Sequence, residues 1–112
     1  MNKRDELILK YEAQLKEAGV KVDSDLLRKV TIGLGPSIYN ADASTVAGSD
    51  PSELATVKNN YLIKKLGLED GPELDEAIDE VLETLGRSNR NKYRACVYYL
   101  LNVKFGKQDI YD

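Results

Sequence analysis

Residues 88–106 read Ser-Asn-Arg-Asn-Lys-Tyr-Arg-Ala-Cys-Val-Tyr-Tyr-Leu-Leu-Asn-Val-Lys-Phe-Gly. The stretch opens with polar and basic residues and then becomes apolar on nearly every side. A helix that is apolar all round has to be surrounded by other elements. We therefore predict that residues 88–106 form the central helix of an all-α domain, with the rest of the chain packed around it.

The rest of the chain adds four amphipathic segments, in which apolar residues recur at helical spacing. With the central helix they predict a compact array of about five helices. The 112 residues are enough for one domain with a real core, so residues 1–112 are expected to form a single domain. Glycine follows four of the five helices, as the left-handed stop that commonly ends a helix: Gly19, Gly67, Gly86 and Gly106.

Local signals also mark where three of the helices begin. Asp23 suits the N-cap of the second helix, and Gly71 suits that of the fourth because Pro72 then falls at the first helical position. Asp50 is the clearest N-cap, since it precedes Pro51 and stands three residues before Glu53, as in a capping box.

Residues 35–49 show no helical period and are predicted to form one long ordered loop. Ile38, Tyr39 and Val46 are its expected anchors to the core. Loops of this length are often functional, and whether this one is functional or only structural stays open at this point.

The composition excludes several kinds of chemistry. The chain has no histidine, which removes the commonest general base and the commonest metal ligand. Its single cysteine, Cys96, lies in the apolar run of the central helix and is expected to be buried and unreactive. No acid–base pair can be named, so no catalytic residue and no cofactor are predicted, and enzymatic activity is disfavoured.

One acidic spacing resembles a calcium-binding loop but fails on inspection. The oxygen-bearing residues occupy positions 1, 3, 9 and 12 of such a loop, but position 6 is Ala47 instead of glycine and position 5 is Val46. We therefore predict no metal site. The four residues in question are Asp42, Ser44, Asp50 and Glu53.

The single cysteine and the distribution of apolar residues also bear on the cellular compartment. One unpaired cysteine suits a reducing compartment. The first residues carry charges without a long apolar segment, unlike a signal peptide, and no apolar run approaches the 18 residues of a membrane span. A soluble, cytoplasmic protein is expected.

The first candidate site is the basic segment, residues 87–94, at the start of the central helix. Cations are normally avoided there because the helix dipole favours anions. One interpretation is a site for an anion such as a phosphate or carboxylate, or for an acidic partner. The candidate binding residues are Arg87, Asn89, Arg90, Asn91, Lys92 and Arg94.

The other interpretation, which we favour, is internal charge pairing with the acidic fourth helix. A short turn at residues 86–88 predicts an antiparallel hairpin. Arg87 and Arg90 are then expected to pair with the fourth helix, with Lys92 and Arg94 as the freer cations. In the same hairpin, Arg94 lies on the helix face that also holds Arg90, and we expect it to point towards Asp79 and Glu76. The net charge of −3 argues against nucleic acid as the partner.

The second candidate is a group of tyrosines and asparagines. A pocket lined by such residues is suited to a small polar ligand, although tyrosines of this kind more often belong to a core or interface with a bonded hydroxyl. The residues are Tyr61, Tyr93, Tyr98, Tyr99, Asn59 and Asn60.

Three stretches resemble a small family of bacterial proteins classed only as a domain of unknown function: residues 33–42 (Gly-Leu-Gly-Pro-Ser-Ile-Tyr-Asn-Ala-Asp), 56–67 (Thr-Val-Lys-Asn-Asn-Tyr-Leu-Ile-Lys-Lys-Leu-Gly) and 88–94 (Ser-Asn-Arg-Asn-Lys-Tyr-Arg). The similarity runs nearly end to end. It implies a bacterial, soluble, single-domain protein, and it supplies no activity or site residue.

Two functions remain. The favoured one is a small non-catalytic binding or assembly module that acts through a protein partner or through self-association. The alternative is a small-molecule or anion-binding protein that uses the basic N-terminus of helix 88–106.

Overall fold

The computed structural model describes residues 2–40, 43–86, 89 and 92–111. The fold is all-α, as predicted. The described residues form five α-helices: α1 (Lys3–Glu17), α2 (Ser24–Leu34), α3 (Pro51–Thr56), α4 (Pro72–Leu85) and α5 (Arg94–Phe105). A π-helix (Val57–Lys65) continues α3, and 3-10 turns span Gly35–Tyr39 and Gln108–Tyr111.

Helix α5 is the centre of the fold. It packs against α1, α2 and α4, and its buried side chains point to more than one side of the helix axis. This confirms that the apolar run of residues 95–101 belongs to a surrounded helix. The buried residues of α5 are Ala95, Cys96, Val97, Tyr98, Tyr99, Leu101 and Asn102.

The predicted helix starts are confirmed. The Asp23 side chain accepts a hydrogen bond from the Leu26 amide at 3.2 Å, and that of Asp50 accepts one from the Ser52 amide at 2.9 Å. Gly71 is the N-cap of α4. These starts depend on residues within one helical turn, which is why the local pattern identifies them.

Helix α5 begins at Arg94, six residues later than predicted. Tyr93 is extended and forms an isolated antiparallel bridge with Thr45. The Val46 amide donates to the Lys92 carbonyl and the Arg94 amide donates to the Ser44 carbonyl, both at 2.8 Å. Because these backbone groups pair with the loop, the residues just before Arg94 are not helical.

The predicted loop 35–49 begins with a 3-10 turn. Of its expected anchors, Ile38 and Val46 are buried, as predicted. Tyr39 is 53% exposed, so the prediction that it anchors the loop is wrong. Residues 41 and 42 lie outside the described part of the chain.

The third predicted helix changes type along its length, from α-helix to π-helix at Val57. Its buried residues, Val57, Tyr61, Leu62 and Leu66, recur at intervals of four and five residues. That spacing suits the i→i+5 hydrogen bonds of a π-helix, such as the one from the Leu66 amide to the Tyr61 carbonyl at 2.9 Å. It also suits an α-helix, so the sequence pattern did not distinguish the two.

Within the described residues, no helix has both the length and the apolar character that crossing a membrane requires.

Candidate functional site

Part of the basic segment, residues 87–94, is directed into the fold. Lys92 is only 4% exposed, and its ammonium group donates to the Asn89 carbonyl at 2.6 Å. Asn89 in turn donates from its side chain to the Leu85 carbonyl at 3.4 Å. Lys92 is therefore a bonded, buried cation, contrary to the expectation that it is one of the freer ones.

Arg94 is also held within the chain, but not by the predicted partners. It forms an ion pair with Glu53 in the first turn of α3. Its guanidinium also donates to the Ala43 carbonyl at 2.7 Å and to the Thr45 carbonyl at 3.3 Å. The expectation that Arg94 is a freer cation, carried towards Asp79 and Glu76, is wrong.

The late start of α5 explains this difference. Because Tyr93 is bridged to the loop, the first residue of α5 lies beside residues 43–45 and the start of α3. Glu53 consequently serves as the partner of Arg94. Arg87, Arg90 and Asn91 lie outside the described residues, and anion binding by the basic segment stays a prediction.

The structure separates the predicted tyrosine group into two roles. Tyr93 packs against Tyr11 with ring centroids 5.0 Å apart, and the Tyr99 hydroxyl accepts a hydrogen bond from the Asp23 amide at 2.8 Å. Both residues are thus occupied in holding α1 and the start of α2 against α5.

Tyr61 and Tyr98 come together at a different place. Their rings are stacked, with centroids 4.0 Å apart and an interplanar angle of 13°. Tyr111 of the last 3-10 turn joins them, its hydroxyl 2.9 Å from the hydroxyl of Tyr61. Tyr111 is not predicted by the sequence pattern, because a contact across 50 residues leaves no local signal.

These three tyrosines line a half-open cavity of about 140 Å³, which we call the tyrosine cleft. It lies between α2, the π-helix, α5 and the last 3-10 turn. Asn60 lines this cleft, as predicted, whereas Asn59 lines a different hollow. The described lining residues are Val30, Gly33, Leu34, Asn60, Tyr61, Lys65, Tyr98 and Tyr111.

A buried amide supports the hydroxyl pair. Asn102 is fully buried, and its Nδ2 donates to the Lys107 carbonyl at 3.0 Å and to the Tyr61 hydroxyl at 3.4 Å. Its Oδ1 has no hydrogen-bond partner among the described residues. Rotating the amide by 180° would place that oxygen against the Lys107 carbonyl, so the bond to Lys107 fixes the orientation of the side chain.

Burial keeps the hydroxyls of Tyr61 and Tyr111 protonated. Burial is the main cause that raises the pKa of Tyr61, and the hydrogen bond with Tyr111 raises it further. Burial also raises the pKa of Tyr111. Near neutral pH both groups are neutral and retain a proton that they can donate.

The sequence also singled out the Cys96 thiol and a calcium-like spacing of oxygen-bearing residues. Cys96 is buried, as predicted, and burial raises the pKa of its thiol well above the usual range. Among the described residues, no cluster of three or more histidine, cysteine, aspartate or glutamate side chains is placed to hold a metal ion. Asp42, from the calcium-like spacing, lies outside the described residues.

Comparison with known protein families identifies the family of this chain. Residues 10–109 match the model of the family described as "Protein of unknown function (DUF2853)". The match covers most of the 112 residues, and the chain belongs to this family. A search of curated proteins finds no match.

Proposed function

We propose that this domain is a non-catalytic binding protein whose ligand is a small molecule held in the tyrosine cleft. The single observation that carries the proposal is the cleft itself, where three tyrosines, an asparagine and a lysine line one half-open space. Concave sites with apolar walls and a few polar groups are the usual form of small-molecule sites. The proposal keeps the small-molecule alternative and moves it from the basic segment to the tyrosine cleft.

The helix that carries the cleft gives independent support. Asn60, Tyr61 and Lys65 all belong to the π-helix. π-Helical turns are rare and occur frequently at functional sites. Here the wider turn lets Tyr61 stack on Tyr98 while Asn60 and Lys65 reach the same opening.

The size of the cleft limits the ligand to a small molecule. A cavity of about 150 Å³ holds a molecule the size of benzene, and the tyrosine cleft is of similar volume, about 140 Å³. Because the cleft is half-open, a substituent on the ring can extend to solvent past Lys65.

Binding without catalysis fits the groups in the lining. The described lining residues include no carboxylate and no thiol, and the chain has no histidine. The hydroxyls of Tyr61 and Tyr111 are held protonated and so do not serve as bases.

A blocked variant tests the proposal. Gly33 has an ordinary helical conformation, and a Cβ there would lie 3.5 Å from the Tyr111 ring. Gly33→Leu should therefore fold and fill the space. Ile32→Leu, at the exposed neighbouring position, is the matched control.

The measurement is an NMR titration of the labelled protein with small ring compounds such as phenol and cyclohexanol. We expect saturable shifts at the amides of Gly33, Asn60 and Lys65, in the native protein and in Ile32→Leu but not in Gly33→Leu. Shifts that persist in Gly33→Leu, or no saturable shift in the native protein, would refute the proposal.

Action through a protein partner or through self-association, the function that the sequence favoured, stays a prediction. In the described part of the chain, the exposed large apolar side chains lie on four different elements, which singles out no one element as a docking face: Leu9, Ile32, Tyr39 and Val103. Sedimentation velocity over a hundredfold range of concentration tests self-association, which requires a mass that rises with concentration. We propose a cytoplasmic setting because the single unpaired cysteine suits a reducing compartment, and a bacterial source because three stretches of the chain resemble a bacterial family.

A further inference from the structure

The described lining of the tyrosine cleft carries charge of one sign. Among the described lining residues, Lys65 alone has a basic side chain and none has an acidic one. The other polar side chains are those of Asn60 and the tyrosines, and the hydroxyls of Tyr61 and Tyr111 are neutral near neutral pH. The described lining therefore offers a positive charge and hydrogen-bond donors, without a carboxylate to repel an anion.

Lys65 is not neutralised by the described part of the chain. Its ammonium group lies 5.5 Å from the centroid of the Tyr111 ring, and none of the described carboxylates lies within ion-pair distance of it. Lys58, on the same π-helix, shows the contrast: it lies 3.0 Å from Asp70 and 3.4 Å from Asp75. Two lysines of one helix thus differ in whether their charge is already compensated.

The hydroxyl pair has a proton to spare. Tyr61 and Tyr111 carry two hydroxyl protons and use one of them between their own oxygens. Asn102 reaches the Tyr61 oxygen as a donor, so it accepts neither proton. One proton of the pair is therefore left for an acceptor that the described residues do not supply.

We propose that the ligand of the tyrosine cleft is a small carboxylate attached to a flat apolar ring; this inference rests on the proposed function of the cleft. The ring lies between the tyrosine rings and the apolar wall formed by Val30 and Leu34. The carboxylate pairs with Lys65 and accepts the remaining hydroxyl proton of the Tyr61–Tyr111 pair. A charge-assisted bond of this kind is stronger than one between neutral groups.

Three compounds of nearly equal shape test the class of ligand. Benzoate is an anion, benzamide is neutral and benzamidine is a cation. Each is titrated into the labelled protein and the affinity is taken from the NMR shifts of the cleft amides. We expect benzoate to bind about fivefold more tightly than benzamide, which is the affinity ratio that a partly exposed ion pair can supply. Benzamidine should bind most weakly.

Two lysine variants locate the effect. Lys65→Met keeps an unbranched apolar side chain at this position and removes the charge that lies over the Tyr111 ring. It should lower benzoate affinity to that of benzamide and leave benzamide unchanged. Lys64→Met removes an exposed charge one residue away that does not line the cleft, and it should change neither affinity.

The outcomes separate the two proposals. Benzamide or benzamidine binding as tightly as benzoate would overturn the carboxylate inference and leave the cleft as a small-molecule site. Equal loss of benzoate affinity in Lys64→Met and Lys65→Met would also overturn it, because the effect would then be one of general charge. If none of the three compounds binds, both the proposed function and this inference fall.

Discussion

Replacing Arg94 by methionine removes the charge and keeps most of the aliphatic length. The side chain of Arg94 is 12% exposed and that of Glu53 is 22% exposed, so water reaches the ion pair only in part. The substitution leaves the Glu53 carboxylate and the carbonyls of Ala43 and Thr45 without the donor that they share. It therefore tests whether this pair holds the loop to the helices.

The expected cost follows from those lost bonds. Breaking a fully buried ion pair costs about 3–5 kcal/mol, and a hydrogen bond from a charged group contributes about 1.5–3 kcal/mol. Because both side chains retain some exposure, water replaces part of the loss. We expect Arg94→Met to lower the free energy of unfolding by about 2–4 kcal/mol, a large share of the ~5–15 kcal/mol that is typical of a domain.

The assay is equilibrium unfolding in urea, followed by circular dichroism, for a double-mutant cycle. The variants are Arg94→Met, Glu53→Gln and the combination of the two, and the coupling free energy between the sites should be about 1–2 kcal/mol. Hydrogen exchange at the Val46 amide, which donates to the Lys92 carbonyl, should be faster in Arg94→Met.

Two results would refute this reasoning. A cost below about 0.5 kcal/mol for Arg94→Met would mean that the pair behaves like an exposed one. Unchanged exchange at Val46, despite a large loss of stability, would mean that Arg94 stabilises the fold without holding the loop. Lys64→Met, which removes an exposed cation, is the control and should cost less than about 0.5 kcal/mol.

Three further outcomes are expected. Leu101 is fully buried in α5, so Leu101→Ala should cost about 2–5 kcal/mol in the same urea assay, and a cost below 1 kcal/mol would contradict the central place of this helix. Cys96 should react slowly with thiol reagents in the native protein and rapidly in denaturant, and prompt native labelling would contradict its burial. Hydrogen bonds from Ser52 lower the pKa of Asp50 below its ordinary 3.8, so its charge stabilises the fold above that pH and the stabilisation is lost as the pH falls through the lowered value. The melting temperatures of the native protein and Asp50→Asn, which keeps a capping oxygen, should therefore converge on acidification below pH 3.8.

What could be predicted from the sequence depended on distance along the chain. The caps Asp23, Asp50 and Gly71 act within one turn of the helix that they start, and the structure has them where the pattern indicated. The burial of α5 was predictable for the same reason, since a helix that is apolar on every side has to be surrounded by other elements.

The features that the sequence did not predict depend on distant partners. The bridge between Thr45 and Tyr93 determines where α5 starts, and the ion pair with Arg94 determines the role of Glu53. From the local sequence alone, the simplest predictions were a helix that starts at residue 88 and a Glu53 that belongs to a capping box. In the tyrosine cleft, the sequence indicates Tyr61, Tyr98 and Asn60, whereas the places of Tyr111 and Lys65 follow only from the folded chain.

The bridge between Thr45 and Tyr93 also has a consequence for the order of folding. It joins residues 48 positions apart, and the segment that it closes contains α3, the π-helix and α4. Closing so long a segment costs more chain entropy than forming the contacts between helices that are neighbours in sequence, such as those of α1 with α2 and of the π-helix with α4. We therefore expect the bridge and the Arg94 ion pair to form late, after the pairing of the π-helix with α4 has reduced the freedom of the segment. Contacts absent from the folding transition state act mainly on the unfolding rate, so we expect this small junction to govern how long the native state lasts more than how quickly it is reached.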